Sequence, residues 1–221
     1  MQVVPIFPTP IFVQNLEITK EIQDELYSLK TNRVENILPS GEKVCDIWGE
    51  NTENKQVLRL EKLSSIRNTI LVNAKKLATE VMGFEVEGLV DVLSWVNKKT
   101  SSQEHKTHIH PNSFISGVLY IDDEYDEKTA LIFEKNAGAT AMFQMIPKKN
   151  HNIQNEYSSY HFAVPALKGR LVMFPSYLPH FVPKNDTDKS RYSLAFNLMP
   201  VGGYGDITNL TEFKYMTALQ Y

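Results

Sequence analysis

The chain has one cysteine, Cys45, among 221 residues. An intramolecular disulfide framework and a thiolate metal site are therefore excluded, and a reducing compartment, the cytoplasm, is expected. Charge of one sign is also lacking. The 23 Lys and Arg residues stand against 26 Asp and Glu, for a net charge of -3 with both signs mixed along the chain. That gives no basic face for nucleic acid, so no nucleic-acid partner is expected. No apolar run approaches the roughly 20 residues that span a bilayer, so no membrane partner is expected either. The apolar stretch Met1 to Phe12 carries Pro5, Pro8 and Pro10 but no basic residue, unlike a signal peptide. Repeats and low-complexity tracts are absent. What is present is an ordinary globular composition, 42% hydrophobic and 10% aromatic, in a length that suits one sizeable domain.

Helical patterns come early and strand patterns late. Pro5 to Leu16 reads as a short strand. Thr19 is placed to cap a helix carrying Ile22, Leu26 and Leu29. Thr31 to Asn54, with Cys45 and Trp48, reads as an irregular excursion. Asn54 to Met82 repeats apolar residues every three or four positions, from Leu58 through Val81, and Gly83 ends that pattern. Phe84 to Asn97 then turns β-rich. Further strands are expected over 114–121, 130–134, 162–164, 170–174 and 191–198, with an acidic turn at 122–128. Asn136 to Tyr160 carries few signals and reads as a loop over the mouth of the fold. Helices first and strands after give an α+β architecture, a sheet sandwich or distorted barrel backed by helices.

Of six histidines, three form a pattern. His108 and His110 are two apart on a segment expected to be extended, so their rings share a face. His180 follows Phe174-Pro175-Ser176, and Arg191-Tyr192-Ser193 comes eleven residues later. Neutral imidazole is a common ligand for iron and other first-row metals, and three of them leave coordination positions open. A single histidine of this kind is more often a polar loop residue; the patterned flanks favour a metal set. Arg191 and Ser193 share a strand face, and a guanidinium with a hydroxyl can hold a carboxylate. If Ser116 points inward, so do Val118 and Tyr120, whose hydroxyl is then available to the same carboxylate. Lys98-Lys99 and Lys148-Lys149 read as solvated charges.

With these segments in view, the chain resembles the iron(II)/2-oxoglutarate-dependent oxygenase superfamily. It is most similar to the family of 2-oxoglutarate/iron(II) oxygenases with His-x-His-Pro, Ser-Gly-x-x-Tyr, Gly-x-Leu-x-x-Phe-Pro-Ser-x-x-x-His and Arg-x-Ser-x-x-x-Asn. These are His108 to Pro111, Ser116 to Tyr120, Gly169 to His180 and Arg191 to Asn197. The resemblance spans roughly residues 84 to 200. It implies a double-stranded β-helix, a jelly-roll barrel of the cupin-like kind, within one domain over 1–221. In that domain 1–83 would be a mainly helical support layer, 84–200 the jelly-roll core and 201–221 a C-terminal tail. It also implies Fe(II), with 2-oxoglutarate as co-substrate and dioxygen as oxidant, giving succinate and carbon dioxide. His180 would be the distal metal ligand, and Arg191, Ser193 and Tyr120 would contact 2-oxoglutarate.

The chain departs from the wider superfamily in lacking His-x-Asp or His-x-Glu. His108, His110 and His180 are the favoured metal set; if His110 were the first ligand, Asn112 would stand in the place of the acid. Asp91, Asp122, Asp123 and Glu104 are carboxylates without the right spacing. Two other functions stay open on the sequence: a three-histidine dioxygenase that uses no 2-oxoglutarate, and a non-catalytic jelly-roll binding or scaffold domain. The substrate, a small molecule or a peptide, is not specified, with 31–54 and 136–160 as its candidate determinants. The helix over 54–82 is expected to cover one barrel face, its apolar margin also suiting a homodimer.

Overall fold

The computed structural model describes residues 2, 4, 7–34, 36–37, 43–44, 49–125, 128–135, 159–204, 208 and 211–213. The first elements are β1 (Phe12–Asn15), α1 (Lys20–Ser28), β2 (Thr31–Arg33), β3 (Asn36–Ile37), β4 (Lys43–Val44) and β5 (Glu50–Thr52). Two 3-10 turns then lead into α2 (Ser64–Lys76), which continues as a π-helical turn, Leu77–Val81. The strands β6 (Gly88–Lys99), β7 (His105–His108), β8 (Ile115–Tyr120), β9 (Ala130–Glu134) and β10 (His161–Pro165) follow. The last are β11 (Arg170–Pro175), β12 (His180–Val182), β13 (Arg191–Tyr204) and β14 (Thr211–Phe213).

The strands form two facing antiparallel sheets, with β3 and β4 as a separate pair. The larger runs β1-β11-β8-β13-β6-β5-β2, with β14 paired to β13, and the smaller runs β10-β9-β12-β7. This is the α+β double-stranded β-helix expected from the sequence. Alternation decides what each strand contributes. On the larger sheet Val96, Ile115, Leu119, Leu171, Met173, Leu194 and Phe196 face one way and are buried with α2. Residues Tyr120, Val172 and Phe174 face the other way, against Leu131, Phe133 and Val164 of the smaller sheet. At Gly117 a Cβ would lie 2.3 Å from the ring of Phe196, so only glycine lets that ring cross the strand.

The helical layer packs on the outer face of the larger sheet. Thr19 Oγ1 accepts the Ile22 N–H at 3.3 Å and caps α1 as expected. Ile66, Ile70 and Ala74 recur every four residues on the buried face of α2. The helix starts at Ser64 rather than near Asn54, because residues 57–63 adopt 3-10 turns. Gly83, at φ 74°, ends the element. Beneath it the fully buried carboxylate of Asp91 takes Arg59 Nε at 2.9 Å and Arg67 at 2.6 Å, tying the helical layer to β6.

The first third contributes strands as well as helices. The strand expected over Pro5 to Leu16 is shorter and pairs with β11 in the register Phe12 to Met173. The segment 31–54 is not simply an irregular excursion: β2 and β5 pair with each other, and β5 joins β6 through Glu50 to Lys98. Main-chain pairing to a sheet edge has no strong hydrophobic period, and this is why the sequence hides it. Residues 201–204 extend β13, and 202–204 pair with β14, so the expected tail supplies sheet too. Cys45, Trp48 and residues 136–158 lie outside the described residues. Among the described residues no helix is long and apolar enough to cross a membrane.

Candidate metal centre

The three histidines meet through strand pairing. In the smaller sheet β12 lies between β7 and β9, and His180 sits opposite His108 on one side and Phe133 on the other. His180 begins β12, after the turn that follows β11, and is buried at 3% exposure. His110 follows the end of β7, where its backbone N–H donates to the Ser176 carbonyl at 3.0 Å. One candidate ligand atom from each of His108, His110 and His180 lies within 4.8 Å of the others.

Two tautomers follow from the hydrogen bonds. His108 Nδ1–H donates to the Lys106 carbonyl at 2.7 Å, and His180 Nδ1–H to the Leu178 carbonyl at 2.9 Å. A carbonyl only accepts, so both Nδ1 atoms carry the proton and both Nε2 atoms keep a lone pair. His110 Nε2 stands 3.2 Å from His180 Nε2. Cis nitrogens each bound at about 2.1 Å to one metal would lie roughly 3 Å apart, so the spacing fits a shared cation. Desolvation lowers all three imidazoles: His180 to about 3, His110 to about 4, and His108 to below its usual value. They are neutral, and so available as ligands, at physiological pH.

The buried polar support for this cluster comes from Ser116, Ser176 and Asn197. Ser116 Oγ donates to Asn197 Oδ1 at 2.9 Å, and the Ser176 and Ser116 hydroxyls are 2.8 Å apart. With its proton committed to Asn197, Ser116 accepts from Ser176. Ser176 N–H also donates to the Phe114 carbonyl at 3.1 Å. The loop entering His180 and the segment leaving His110 are therefore bolted to β8 and β13 at one point.

The cluster opens into a cavity between the sheets that Arg191, Ser193 and Tyr120 also line. Arg191 is buried at 8% exposure at the start of β13, and Ser193 pairs across the ladder with Tyr120. The Tyr120 hydroxyl and the Thr129 hydroxyl, another lining group, are buried with no hydrogen-bond partner among the described residues. Burial raises the Tyr120 pKa, so the phenol stays protonated and able to donate. Three imidazoles for a borderline metal, with a guanidinium and buried hydroxyls in the same cavity, fit iron and a dicarboxylate.

Asn112 is outside the cluster, exposed in a turn at φ 62°. None of the carboxylates considered from sequence joins the histidines among the described residues. Asp91 is held by the two arginines, and Asp122 accepts Tyr27 Oη–H at 2.8 Å. Two expectations for lysines are corrected. Lys99 is buried at 5% exposure and lines the cavity, and Lys98 is partly buried beside Glu50 at 3.3 Å. Lys148-Lys149 lie outside the described residues. Trp95, Asn97 and Lys99 occupy alternate positions of β6 facing the cavity, as do Tyr125 and His105 from their loop and strand. Period-two spacing carried forward from Trp95 would have found the first three.

Residues 93–197 match a family model described as "Putative 2OG-Fe(II) oxygenase". A comparison with curated proteins finds no match. Among solved structures, HygX from Streptomyces hygroscopicus, with nickel and 2-oxoglutarate bound, aligns at TM-score 0.53 and 11% identity, over 87% of this chain and 83% of that one. A Pseudomonas putida prolyl-4-hydroxylase aligns at TM-score 0.51 and 12% identity, over 86% and 92%. SnoN, described as a non-heme alpha ketoglutarate dependent epimerase from nogalamycin biosynthesis, aligns at 0.52 and 13%, over 82% and 72%. At these identities the likeness to solved structures is one of fold. The family match takes in Lys99, all three histidines of the cluster and Arg191, and over that segment the chain resembles the 2OG-Fe(II) oxygenase family.

Proposed function

We propose that His108, His110 and His180 hold Fe(II), and that Arg191, with Ser193 and Tyr120, receives the far carboxylate of 2-oxoglutarate. The protein then acts as a hydroxylase of a small-molecule or peptide substrate. One observation carries this reading: the three histidines and the buried Arg191 open on the same cavity, although β7, the turn after it, β12 and β13 supply them. Bound Fe(II) with 2-oxoglutarate would supply oxidative decarboxylation coupled to oxidation of a substrate C–H bond.

The side chains supply placement. Neutral imidazoles present lone pairs without a proton to displace. The guanidinium is a fixed cation with a planar donor fork suited to a carboxylate. The protonated Tyr120 phenol adds a donor in surroundings where an unpaired one is costly, and so favours an acceptor there. Phe174, Leu131 and Val182 give the same cavity an apolar wall. The single cysteine supports a cytoplasmic setting.

The test is an anaerobic titration of metal-free protein with Fe(II) and then 2-oxoglutarate, following the visible charge-transfer band of the chelate. The band is expected in the wild type. In Arg191→Ala, Fe(II) should bind as before while 2-oxoglutarate weakens by about a hundredfold or more, as for loss of one partner of a buried charged contact. Unchanged 2-oxoglutarate affinity would reject the role of Arg191. Iron binding without any band would favour the three-histidine dioxygenase that uses no 2-oxoglutarate.

A further inference from the structure

The first turn of β13 is held differently on its two sides. On one side Arg191, Tyr192 and Ser193 pair with Lys99, Lys98 and Asn97 of β6. On the other, the ladder with β8 begins at Ser193 opposite Tyr120 and does not reach Arg191 or Tyr192. Side chains take over where that ladder stops. The Tyr125 hydroxyl donates to the Tyr192 carbonyl at 2.7 Å, and Asp122 Oδ2 accepts the Tyr192 N–H at 2.7 Å. Both backbone polar groups of the residue between Arg191 and Ser193 are thereby fixed.

The same two residues are anchored to the end of β8. The Tyr125 oxygen accepts the N–H groups of Ile121 at 2.9 Å and Asp122 at 3.0 Å. The Tyr125 ring stands edge-on to Tyr120, with centroids 5.3 Å apart, and lines the cavity. Tyr27 of α1 donates to Asp122 and packs on Tyr192 at 4.7 Å, and Gln23 donates to the Ile121 carbonyl at 2.8 Å. Helix α1 is thus the outer support of the same joint.

We propose that Tyr125 and Asp122 are positioning residues for the co-substrate, clamping the Tyr192 peptide and so setting Arg191 and Ser193 against the bound carboxylate. The proposal rests on the assignment of Arg191 to the far carboxylate of 2-oxoglutarate. Alternation along β13 makes it specific: Arg191 and Ser193 share the cavity face and flank the clamped residue, so a shift there moves both together.

Tyr125→Phe removes the hydroxyl and keeps the ring. The test titrates the Fe(II)-loaded protein with 2-oxoglutarate and, separately, with 2-oxobutyrate, which keeps the 2-oxo acid and lacks the far carboxylate. We expect 2-oxoglutarate to weaken by about tenfold, the scale of one lost hydrogen bond, while 2-oxobutyrate and Fe(II) affinities stay within about twofold. In an Arg191→Ala background the Tyr125→Phe effect should shrink to the part carried by Ser193. Unchanged 2-oxoglutarate binding in Tyr125→Phe overturns the clamp and leaves the Arg191 assignment standing. Equal weakening of both acids also overturns it, because the hydroxyl would then support the cavity generally. If wild-type protein takes no 2-oxoglutarate, or Arg191→Ala does not weaken it, the assignment falls and the clamp with it. Should Tyr125→Phe not fold, Asp122→Asn is read by the same criteria at smaller amplitude.

Discussion

Ser116→Ala tests whether the buried hydroxyl contacts hold the histidines in place. The substitution deletes one oxygen at a position 1% exposed, leaves the β8 backbone able to keep its ladder, and creates almost no cavity. It removes the bond to Asn197 at 2.9 Å and the contact with Ser176 at 2.8 Å. Asn197 Oδ1 loses that donor, and the buried Ser176 hydroxyl loses its acceptor. A buried group left unsatisfied costs about 1 to 3 kcal/mol, so the two together should cost about 2 to 6 kcal/mol. For a chain of 221 residues, the usual unfolding entropy per residue makes this a fall of roughly 4 to 13 °C in melting temperature.

The functional consequence is as informative as the stability. Ser176 takes the His110 N–H on its carbonyl and begins the loop that enters His180. Loosening it should weaken divalent-metal binding by tenfold or so, in line with the loss of groups that orient metal ligands. The assay is thermal unfolding of metal-free protein, followed by calorimetric titration with Co(II). A melting temperature within 1 °C or so of wild type would refute the hydrogen-bond reasoning. Unchanged metal affinity in a destabilised variant would show that the Ser116 contacts stabilise the barrel without orienting the histidines.

Two further outcomes are expected. Desolvation holds His110 at about 4 and His180 at about 3, with His108 and His105 shifted the same way. Below the unfolded value of 6.5 the folded chain binds fewer protons at these groups, so their contribution is present above pH 6.5 and lost as pH falls toward 4 and 3. Asp122, raised by burial to about 6, acts oppositely, its share being present below the unfolded 3.8 and lost as pH rises through 6. The imidazoles outnumber it, so the melting temperature of metal-free protein should fall from pH 6.5 to 4; a flat or rising profile would contradict the burial argument. Asp91→Asn leaves Arg59 and Arg67 facing a neutral amide and should cost about 3 to 5 kcal/mol in urea unfolding. Its metal affinity should stay unchanged, since Asp91 lies on the helical side of the sheet.

Period and spacing made much of the fold readable. The alternation in Ser116, Val118 and Tyr120 assigned a cavity face that the structure keeps. The i, i+4 pattern of Ile66, Ile70 and Ala74 marked the helix that backs the sheet. Edge pairing of β2 and β5 was hidden because main-chain hydrogen bonds leave little mark on side-chain order. Lys99 was misread because a lysine in sequence looks solvated, and only its position on an inward-facing strand phase buries it.

The sequence alone determined the candidate histidines, the Arg191-x-Ser193 fork and the α+β class, because those depend on local spacing and composition. It also determined that no acid stands two residues after His108. Tertiary structure alone decided that His180 lies opposite His108, that Asn112 stays outside the cluster, and that Ser116, Ser176 and Asn197 meet. It decided too that Tyr125 and Asp122 grip the residue beside Arg191. The physical reason is range: a strand's two-residue period fixes which face a side chain takes, whereas strand order and register fix which distant face it meets.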